Sequence, residues 1–259
     1  MNETLTLYVG WQNQDSRRWF VVGRIRRMEA DQGRVEYEFA YVRGVDEAQE
    51  NGFQPFVAFP DLDTVVTSHA LLPFFRDRLM PKSRPDYQRY LDQLALDPND
   101  DEFAILARSG GVRTTEHAEI ELFAPPTRKG DGIYETYFWV RGIRYVDPDR
   151  NALVTIQRND RLFCTLDVQN EKNPNAVLLR TEDRKNVGYA PDYLCDDLSR
   201  RLKNQDMVSV TAVKIDPSPL VPARNRVLCH LTARFPAGVR PFSTDNFEPK
   251  VSKDLTRAA

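Results

Sequence analysis

The stretch Tyr134-Glu-Thr-Tyr-Phe-Trp-Val-Arg-Gly-Ile-Arg-Tyr145 decides how the second half of the chain folds. It is rich in aromatic and β-branched residues, which suit a half-buried pleated surface, so a strand is predicted here. Residues 161–168 form a second extended run. A polar corner follows, Gln169-Asn-Glu-Lys-Asn-Pro-Asn175, where Asn side chains and the fixed φ of Pro174 favour a sharp turn.

The residues after this corner alternate between short apolar runs and turns. Ala176–Leu179 and Val187–Tyr189 are predicted as strands, and Gly188 allows another backbone to approach closely. A helix is predicted between Pro191 and Asn204, because leucines recur there at every fourth position. Its acidic residues precede its basic ones, which complements a helix dipole.

Four segments of this half resemble, in this order, the HIRAN domain family. They are Gly142-Ile-Arg-Tyr145, Asn170 to Asn175 leading into Ala176-Val177, Val187-Gly-Tyr189, and the helix after Pro191. The resemblance covers residues 133–238. It implies a small β-barrel with one or two helices that binds single-stranded DNA or DNA ends, and an extra hairpin between Tyr145 and Arg161, where this chain is longer than usual.

The resemblance also implies which residues contact the ligand. Arg144 and Tyr145 match a pair that holds a phosphate and stacks a terminal base in end-binding members. Lys172 and Asn173 replace the aromatic and acidic residues of the opposing wall, so a base would stack on one side only. The residues predicted to bind nucleic acid are Arg144, Tyr145, Lys172, Asn173, Asn175, Lys185 and Tyr189. The alternatives are a strand-edge Arg-Tyr pair that covers the barrel and asparagines that only form turns.

Composition limits the function classes. The chain has 259 residues, 41% of them hydrophobic, which suffices for two domains. It has no apolar run long enough for a membrane span and no signal peptide, so a cytoplasmic location is expected. Its three cysteines lack pairing or metal-ligand spacing, and no cofactor or metal is predicted.

The charge is unevenly distributed along the chain. The net charge of −2 is not that of a protein that coats nucleic acid. Residues 133–238, however, carry 16 basic and 13 acidic side chains, whereas residues 1–132 carry 16 and 22. The basic excess therefore lies on the half that resembles a nucleic-acid-binding domain.

The first half is predicted to contain strands followed by helices. Apolar alternation predicts strands near residues 5–9, 19–25 and 34–42, and a loop with three phenylalanines that pack back on the sheet at 44–68. Helix spacing then recurs from Leu71 to Leu79, after Ser83, and from about Asn99 to Gly110-Gly111.

This half resembles the N-terminal subdomain of HipA-type kinases, the serine/threonine kinases of bacterial toxin–antitoxin systems. The run Phe74-Phe-Arg-Asp-Arg-Leu-Met-Pro81 is its most specific part. The resemblance implies as partners a HipA-like kinase and its DNA-binding antitoxin. The residues predicted to face such a partner are Arg76, Asp77, Arg78 and Lys82. No kinase core follows, since no phosphate loop with a Lys and no catalytic Asp with a downstream Asn is found, and no enzyme is predicted.

The predicted fold is α+β, with two small β-barrel or sheet domains that each have a few helices. The predicted boundaries are 1–123 for a partner module, 124–132 for a linker, 133–238 for the HIRAN-like barrel and 239–259 for a flexible tail. The hypothesis is a non-catalytic protein that binds nucleic acid and regulates or targets a separate kinase. The alternatives are an antitoxin-like interaction protein without DNA binding and a stand-alone DNA-end binder in repair or phage defence.

Overall fold

The computed structural model describes residues 4–30, 34–113 and 119–251. The chain divides into two compact units, one formed by residues up to Pro125 together with those from Phe242 onward, the other by Pro126–Pro241. Each unit contains an antiparallel sheet and a few helices, so the predicted α+β class is confirmed. Within the described ranges, no helix is both long and apolar enough to cross a membrane.

The first unit is built on a five-stranded sheet. Its strands are β1 (Thr4–Gln12), β2 (Trp19–Ala30), β3 (Arg34–Tyr41), β4 (Val66–Ser68) and β5 (Glu119–Phe123). Its helices are α1 (Gly44–Glu50), α2 (Pro73–Arg76), α3 (Tyr87–Leu94) and α4 (Glu102–Ser109). The strands lie in the order β4-β3-β2-β1-β5, and each pairs antiparallel with its neighbours.

Tyr41 joins the sheet of the first unit to the phenylalanine-rich loop. Its hydroxyl donates a hydrogen bond to the carbonyl of Phe59 (2.7 Å) and accepts one from the backbone N–H of Phe56 (2.8 Å). The ring of Phe59 stacks on Phe39 with a centroid distance of 4.0 Å. Burial raises the pKa of Tyr41 to about 12, so the phenol keeps its proton and its donor role. The predicted packing of the loop on the sheet is confirmed.

Two predictions for the first unit differ from the structure. Residues 44–50, expected in a loop, form α1, whose Val45 and Ala48 are buried. The apolar alternation near residues 34–42 predicts that the polar residues between the apolar ones, including Glu38, face solvent. In the structure Glu38 is 3% exposed and accepts a hydrogen bond from Nε of Arg26 directly opposite it on β2 (3.0 Å). The opposite charge across the strand pair offsets part of the cost of burying this carboxylate.

Arg78 is part of the core rather than of an exposed partner surface. Its side chain is 7% exposed, its Nε donates to the carbonyl of Phe74 (3.1 Å), and its Nη1 donates to the carbonyl of Gly111 (2.9 Å). The guanidinium also lies 4.5 Å from the centre of the Phe74 ring. Arg76, Asp77 and Lys82 are exposed, as predicted, but Arg78 links the α2 region to the residues after α4.

The chain from Phe242 to Val251 is ordered, in contrast to the predicted flexible tail. The buried ring of Phe242 stacks on Phe247 at 4.4 Å and meets Tyr8 edge-on at 5.8 Å. The backbone N–H of Lys250 donates to the carbonyl of Tyr41 (2.9 Å). The aromatic residues within a polar, proline-containing segment explain the difference, because they bury apolar surface. Residues 252–259 of the predicted tail lie outside the described ranges.

The second unit contains a seven-stranded sheet. Its strands are β6 (Thr127–Gly130), β7 (Ile133–Trp139), β8 (Arg161–Leu166), β9 (Val177–Arg180), β10 (Asn186–Tyr189), β11 (Val208–Ile215) and β12 (Val227–Arg234), and its helices are α5 (Ile143–Val146) and α6 (Asp192–Lys203). The strand order is β10-β9-β8-β11-β12-β7-β6. β6 occupies part of the predicted linker, where it forms a hairpin with β7.

We predict that Arg78→Ala destabilises the first unit by about 2–3 kcal/mol, because it removes charge-assisted hydrogen bonds and leaves two carbonyl groups without those donors. Arg76, whose side chain is 59% exposed, provides the matched control. Arg76→Ala should change the free energy of unfolding by less than about 0.5 kcal/mol. Urea unfolding of the full chain measures both. Equal, small effects of the two substitutions would contradict the structural role of Arg78.

Candidate functional site

The sheet of the second unit closes on itself next to the predicted site. Just beyond β7, the backbone N–H of Val140 donates to the carbonyl of Val227 (2.9 Å), as expected for a continuation of that strand along β12. The next residue, Arg141, exchanges two backbone hydrogen bonds with Tyr189 on β10, each of 2.8 Å. β10 is the far edge strand, so this bridge turns the sheet into a small barrel.

Gly188 makes this closure possible. A Cβ atom at this position would lie 2.4 Å from Cγ1 of Val140 and 2.5 Å from the carbonyl oxygen of Arg141. Both distances are too short for a Cβ atom and a non-bonded neighbour, so only glycine lets β10 approach this closely. The expectation that Gly188 allows close backbone approach is confirmed.

The Arg144–Tyr145 pair lies on a short helix and not on the first strand, where it was predicted. β7 ends at Trp139, Arg141 turns to pair with Tyr189, and Gly142 follows in the left-handed region (φ 66°). That conformation ends the extended run and starts α5, which carries the pair. A Cβ at Gly142 would lie 3.1 Å from the ring of Tyr189, so α5 starts directly against that ring.

Asp147 holds the segment that follows α5. Its carboxylate is buried and accepts hydrogen bonds from the backbone N–H groups of Ala152 and Leu153, both at 3.0 Å. Ala152, Leu153 and Ile156 are themselves buried, and the segment forms a series of turns. The prediction of an extra hairpin in this segment is therefore wrong. The segment is held by a carboxylate that accepts hydrogen bonds from two backbone N–H groups, and not by a pair of strands.

Three of the predicted residues come together in one cluster, which we call the Tyr145 cluster: Arg144, Tyr145 and Lys172. The side chain of Tyr145 is 68% exposed. The guanidinium carbon of Arg144 lies 4.7 Å from the ring centre, and one of its nitrogens donates to the Tyr145 hydroxyl (2.5 Å). The ammonium of Lys172 lies 5.9 Å from the same ring centre. The cluster thus presents an aromatic ring beside two positive charges.

The predicted asparagines fix the loop that carries Lys172. The side-chain oxygen of Asn170 accepts the backbone N–H groups of Lys172 and Asn173, both at 3.1 Å. The Asn173 amide donates to Asp192 (3.1 Å), and the Asn175 amide donates to Asp196 (2.9 Å) on α6. These contacts match the turn-forming alternative, so the two predicted asparagines anchor the loop to the helix instead of turning toward the Tyr145 ring.

Tyr189 and Lys185 have different surroundings. The Tyr189 hydroxyl donates to the carboxylate of Asp167 (2.8 Å), and its ring supports the start of α5. Burial, reinforced by Asp167, raises the pKa of Tyr189, so this donor keeps its proton. Lys185 lies on the turn between β9 and β10, where its ammonium pairs with Asp183 at 2.8 Å. The ammonium of Lys185 thus contacts that carboxylate and not the Tyr145 cluster.

Sequence reasoning missed several residues that build the site. Arg141 makes the bridge that closes the barrel, and Asp147 holds the turns after α5. Asp167 accepts the hydrogen bond from the Tyr189 hydroxyl. A short acidic residue followed by a run of small and polar ones is a signal for such a cap, and Asp147 could have been found that way. The bridge of Arg141 carries no local sequence signal, because it depends on a strand almost fifty residues away in the chain.

The described residues give no metal centre. Within 4–30, 34–113 and 119–251, no three His, Cys, Asp or Glu side chains are placed to hold a metal ion. Cys195 and Cys229 are buried, and burial raises the pKa of the Cys164 thiol to about 12. These thiols therefore have little thiolate character near neutral pH.

Comparisons with known proteins agree with the C-terminal resemblance. The HIRAN domain family model matches residues 133–235, which shows a HIRAN domain in the second unit. A protein from Lactobacillus plantarum of known crystal structure is 17% identical, covers 39% of this chain and 97% of its own, and has a TM-score of 0.33. The HIRAN domain of human HLTF is 18% identical, covers 38% of this chain and 74% of its own, and has a TM-score of 0.30. No curated protein matches the chain. The HipA-like interpretation of residues 1–123 stays a prediction.

We predict that Gly188→Ala destabilises the second unit by about 2–3 kcal/mol, since the added methyl group collides with Val140 and Arg141 and opens the barrel. Gly130→Ala is the matched control. Gly130 has a similar φ (147° against 158° at Gly188), but nothing lies within 4 Å of its Cβ position. Thermal unfolding of the two variants separates the close contact from the backbone conformation. Equal destabilisation would show that the contact contributes nothing.

Proposed function

We propose that the second unit binds single-stranded nucleic acid, with DNA as the first candidate, through the Tyr145 cluster. The observation that carries the proposal is an exposed tyrosine ring beside two cations, mounted on the closed barrel of a HIRAN domain. An exposed aromatic ring and neighbouring positive charges are the two groups that sequence-tolerant binding of single strands requires.

Each member of the cluster has a distinct role in this proposal. Arg144 and Lys172 contact backbone phosphates, where Arg can use two donors at once and Lys acts as a point charge. Tyr145 stacks on a base. Because phosphate contacts release counterions, binding weakens as the salt concentration rises. The basic excess of residues 133–238 supports the same assignment.

Recognition of a DNA end is a finer proposal. It would need a group that reads the terminal sugar hydroxyl, and the Asn173 amide, which stands at the predicted position, is bound to Asp192. We therefore favour binding within a strand, and a comparison of oligonucleotides with free and phosphorylated 3′ ends decides between the two.

The partner proposal concerns the first unit and rests on sequence alone. We infer from the HipA-like resemblance that a separate kinase is the candidate partner, and Arg76, Asp77 and Lys82 remain available on the surface, whereas Arg78 does not. The protein itself is proposed to be non-catalytic. Tight binding of Mg²⁺ or Mn²⁺ in a calorimetric titration would contradict that part.

We predict that Arg144→Ala and Tyr145→Ala each weaken binding of single-stranded DNA by about five- to tenfold, as expected for loss of one stacked base or one charged contact. The Arg144 variant should also lower the slope of log affinity against log salt by about 0.7. Tyr145→Phe should bind almost normally, because the ring remains. Fluorescence anisotropy at two salt concentrations measures all three.

Val154→Ala is the control for this experiment. Val154 is 66% exposed and lies on the turns after α5, so its substitution tests whether any change in this exposed segment weakens binding. Wild-type protein that binds no single-stranded DNA even at low salt would contradict the proposed function. Loss of binding in the Val154 variant as well would show that the Tyr145 cluster has no specific role.

A further inference from the structure

The outward face of the barrel carries a second group of aromatic and basic side chains. On β8, residues alternate between exposed (Arg161, Phe163, Thr165) and inward-facing (Leu162, Cys164, Leu166). Phe163 is 41% exposed, and the guanidinium carbon of Arg161 lies 5.2 Å from its ring centre. An apolar ring left in solvent beside a cation repeats, on a strand, the chemistry of the Tyr145 cluster.

The register of the sheet extends this group across the neighbouring strands. Arg180 on β9 lies directly opposite Phe163. In the other direction, Arg161 lies opposite Thr211 on β11, Thr211 opposite His230 on β12, and His230 opposite Tyr137 on β7. Directly paired residues point to the same face of a sheet, so the six side chains lie on the outside of the barrel. They form a row that follows the curvature of the barrel across five strands and shifts by two residues along β8, from Arg161 to Phe163. We call it the outer row.

The other end of the outer row is also aromatic. Tyr137 is 43% exposed, and its ring centre lies 4.8 Å from that of His230. Adjacent strands lie about 4.8 Å apart, so Tyr137 is about 14 Å from Arg161 along the row. Phe163 lies two residues beyond Arg161 on β8, so the two stacking positions, Phe163 at one end and Tyr137 with His230 at the other, are separated by more than this distance along the barrel surface.

The charges of the outer row complement a polyanion. Arg161 lies beside the Phe163 ring, and Arg180 lies opposite Phe163 on β9, where its guanidinium also donates to the carbonyl of Arg184 (3.2 and 2.8 Å). Lys129 on β6 adds a third cation at the other end of the row. The carboxylate of Glu135 lies at the same end, where it contacts His230 (3.2 Å) and Lys129 (3.0 Å). Positive charge therefore dominates around Phe163, and the Tyr137 end is closer to neutral.

We propose that the outer row is a second binding track for single-stranded nucleic acid. Phe163 stacks on a base, Arg161 and Arg180 contact the adjacent phosphates, and Tyr137 with His230 stacks on a base farther along. The inference rests on the proposed function, because it takes the same class of ligand, but it uses none of the residues of the Tyr145 cluster. A strand that follows the track contacts more of the barrel than the Tyr145 cluster alone.

The test compares a short and a long oligonucleotide. Single-strand sites on comparable barrels cover roughly 4–16 nucleotides, so oligo-dT of about 4 and about 15 residues separates one contact point from a track. We expect the double variant Phe163→Ala/Arg161→Ala to bind the longer oligonucleotide at least about fivefold more weakly and the shorter one normally. Its salt slope on the longer oligonucleotide should fall by about 0.7 for each phosphate that the variant no longer neutralises.

Matched variants keep the test specific. Phe163→Tyr retains the aromatic ring and should bind the longer oligonucleotide like wild type. It keeps the test informative if Phe163→Ala perturbs folding. Leu220→Ala (92% exposed, between β11 and β12) and Arg200→Ala on α6 remove an exposed apolar side chain and a cation outside the row. Both should bind normally.

The outcomes for the two proposals differ. Unchanged binding of the longer oligonucleotide by the double variant, or equal loss on both lengths, would overturn the outer row as a separate track. Loss on both lengths in Arg144→Ala supports the Tyr145 cluster, whichever way the outer row behaves. If Arg144→Ala has no effect but the double variant binds the longer oligonucleotide more weakly, the Tyr145 cluster fails and the outer row stands. Failure of wild type to bind either length overturns both.

Discussion

The two backbone hydrogen bonds between Arg141 and Tyr189 hold the barrel of the second unit closed. They join the end of the first long strand to the far edge strand, so the sheet has no open edge at that point. The position of α5 follows from them. The left-handed turn at Gly142 directly follows the pairing of Arg141, and the ring of Tyr189 lies against the start of the helix. The exposed Arg144 and Tyr145 are thus placed by backbone pairing and not by their own side-chain contacts.

The first unit is stabilised by a different kind of constraint. Its core contains many aromatic rings, and rings pack well only when the loops that carry them are fixed. Tyr41 fixes the loop at two points through one hydroxyl group, and Arg78 joins α2 to the residues after α4 by donating to the carbonyl groups of Phe74 and Gly111. Both side chains are polar groups inside an apolar core whose hydrogen bonds are satisfied, which is the condition for burying them without a large loss of stability.

Features that depend on local periodicity could be predicted from the sequence. α6 lies where the leucine spacing put it, and the strands β9 and β10 differ from their predicted limits by one residue. Features that depend on distant contacts could not. The charged run 76–78 is predicted to face a partner, but Gly111, more than thirty residues later, supplies a carbonyl to which the buried Arg78 donates. The ordered segment after Phe242 was missed for the same reason, since its partners Tyr8 and Phe123 lie in the first half of the chain.

The same limit applies to the site. The sequence could supply Arg144, Tyr145 and Lys172, because short motifs carry them, but not the geometry of the ring. In the structure the Arg144 guanidinium lies over the Tyr145 ring and bonds its hydroxyl, so one face of the ring is already covered. A cation on an exposed ring contributes about 0.5–1 kcal/mol, whereas a stacked base contributes about 1–3 kcal/mol. In the proposed binding mode, an arriving base would displace the guanidinium from the ring, and Arg144 would then contact the phosphate next to that base. The side chain that covers the ring in the free protein would thus become one that holds the strand.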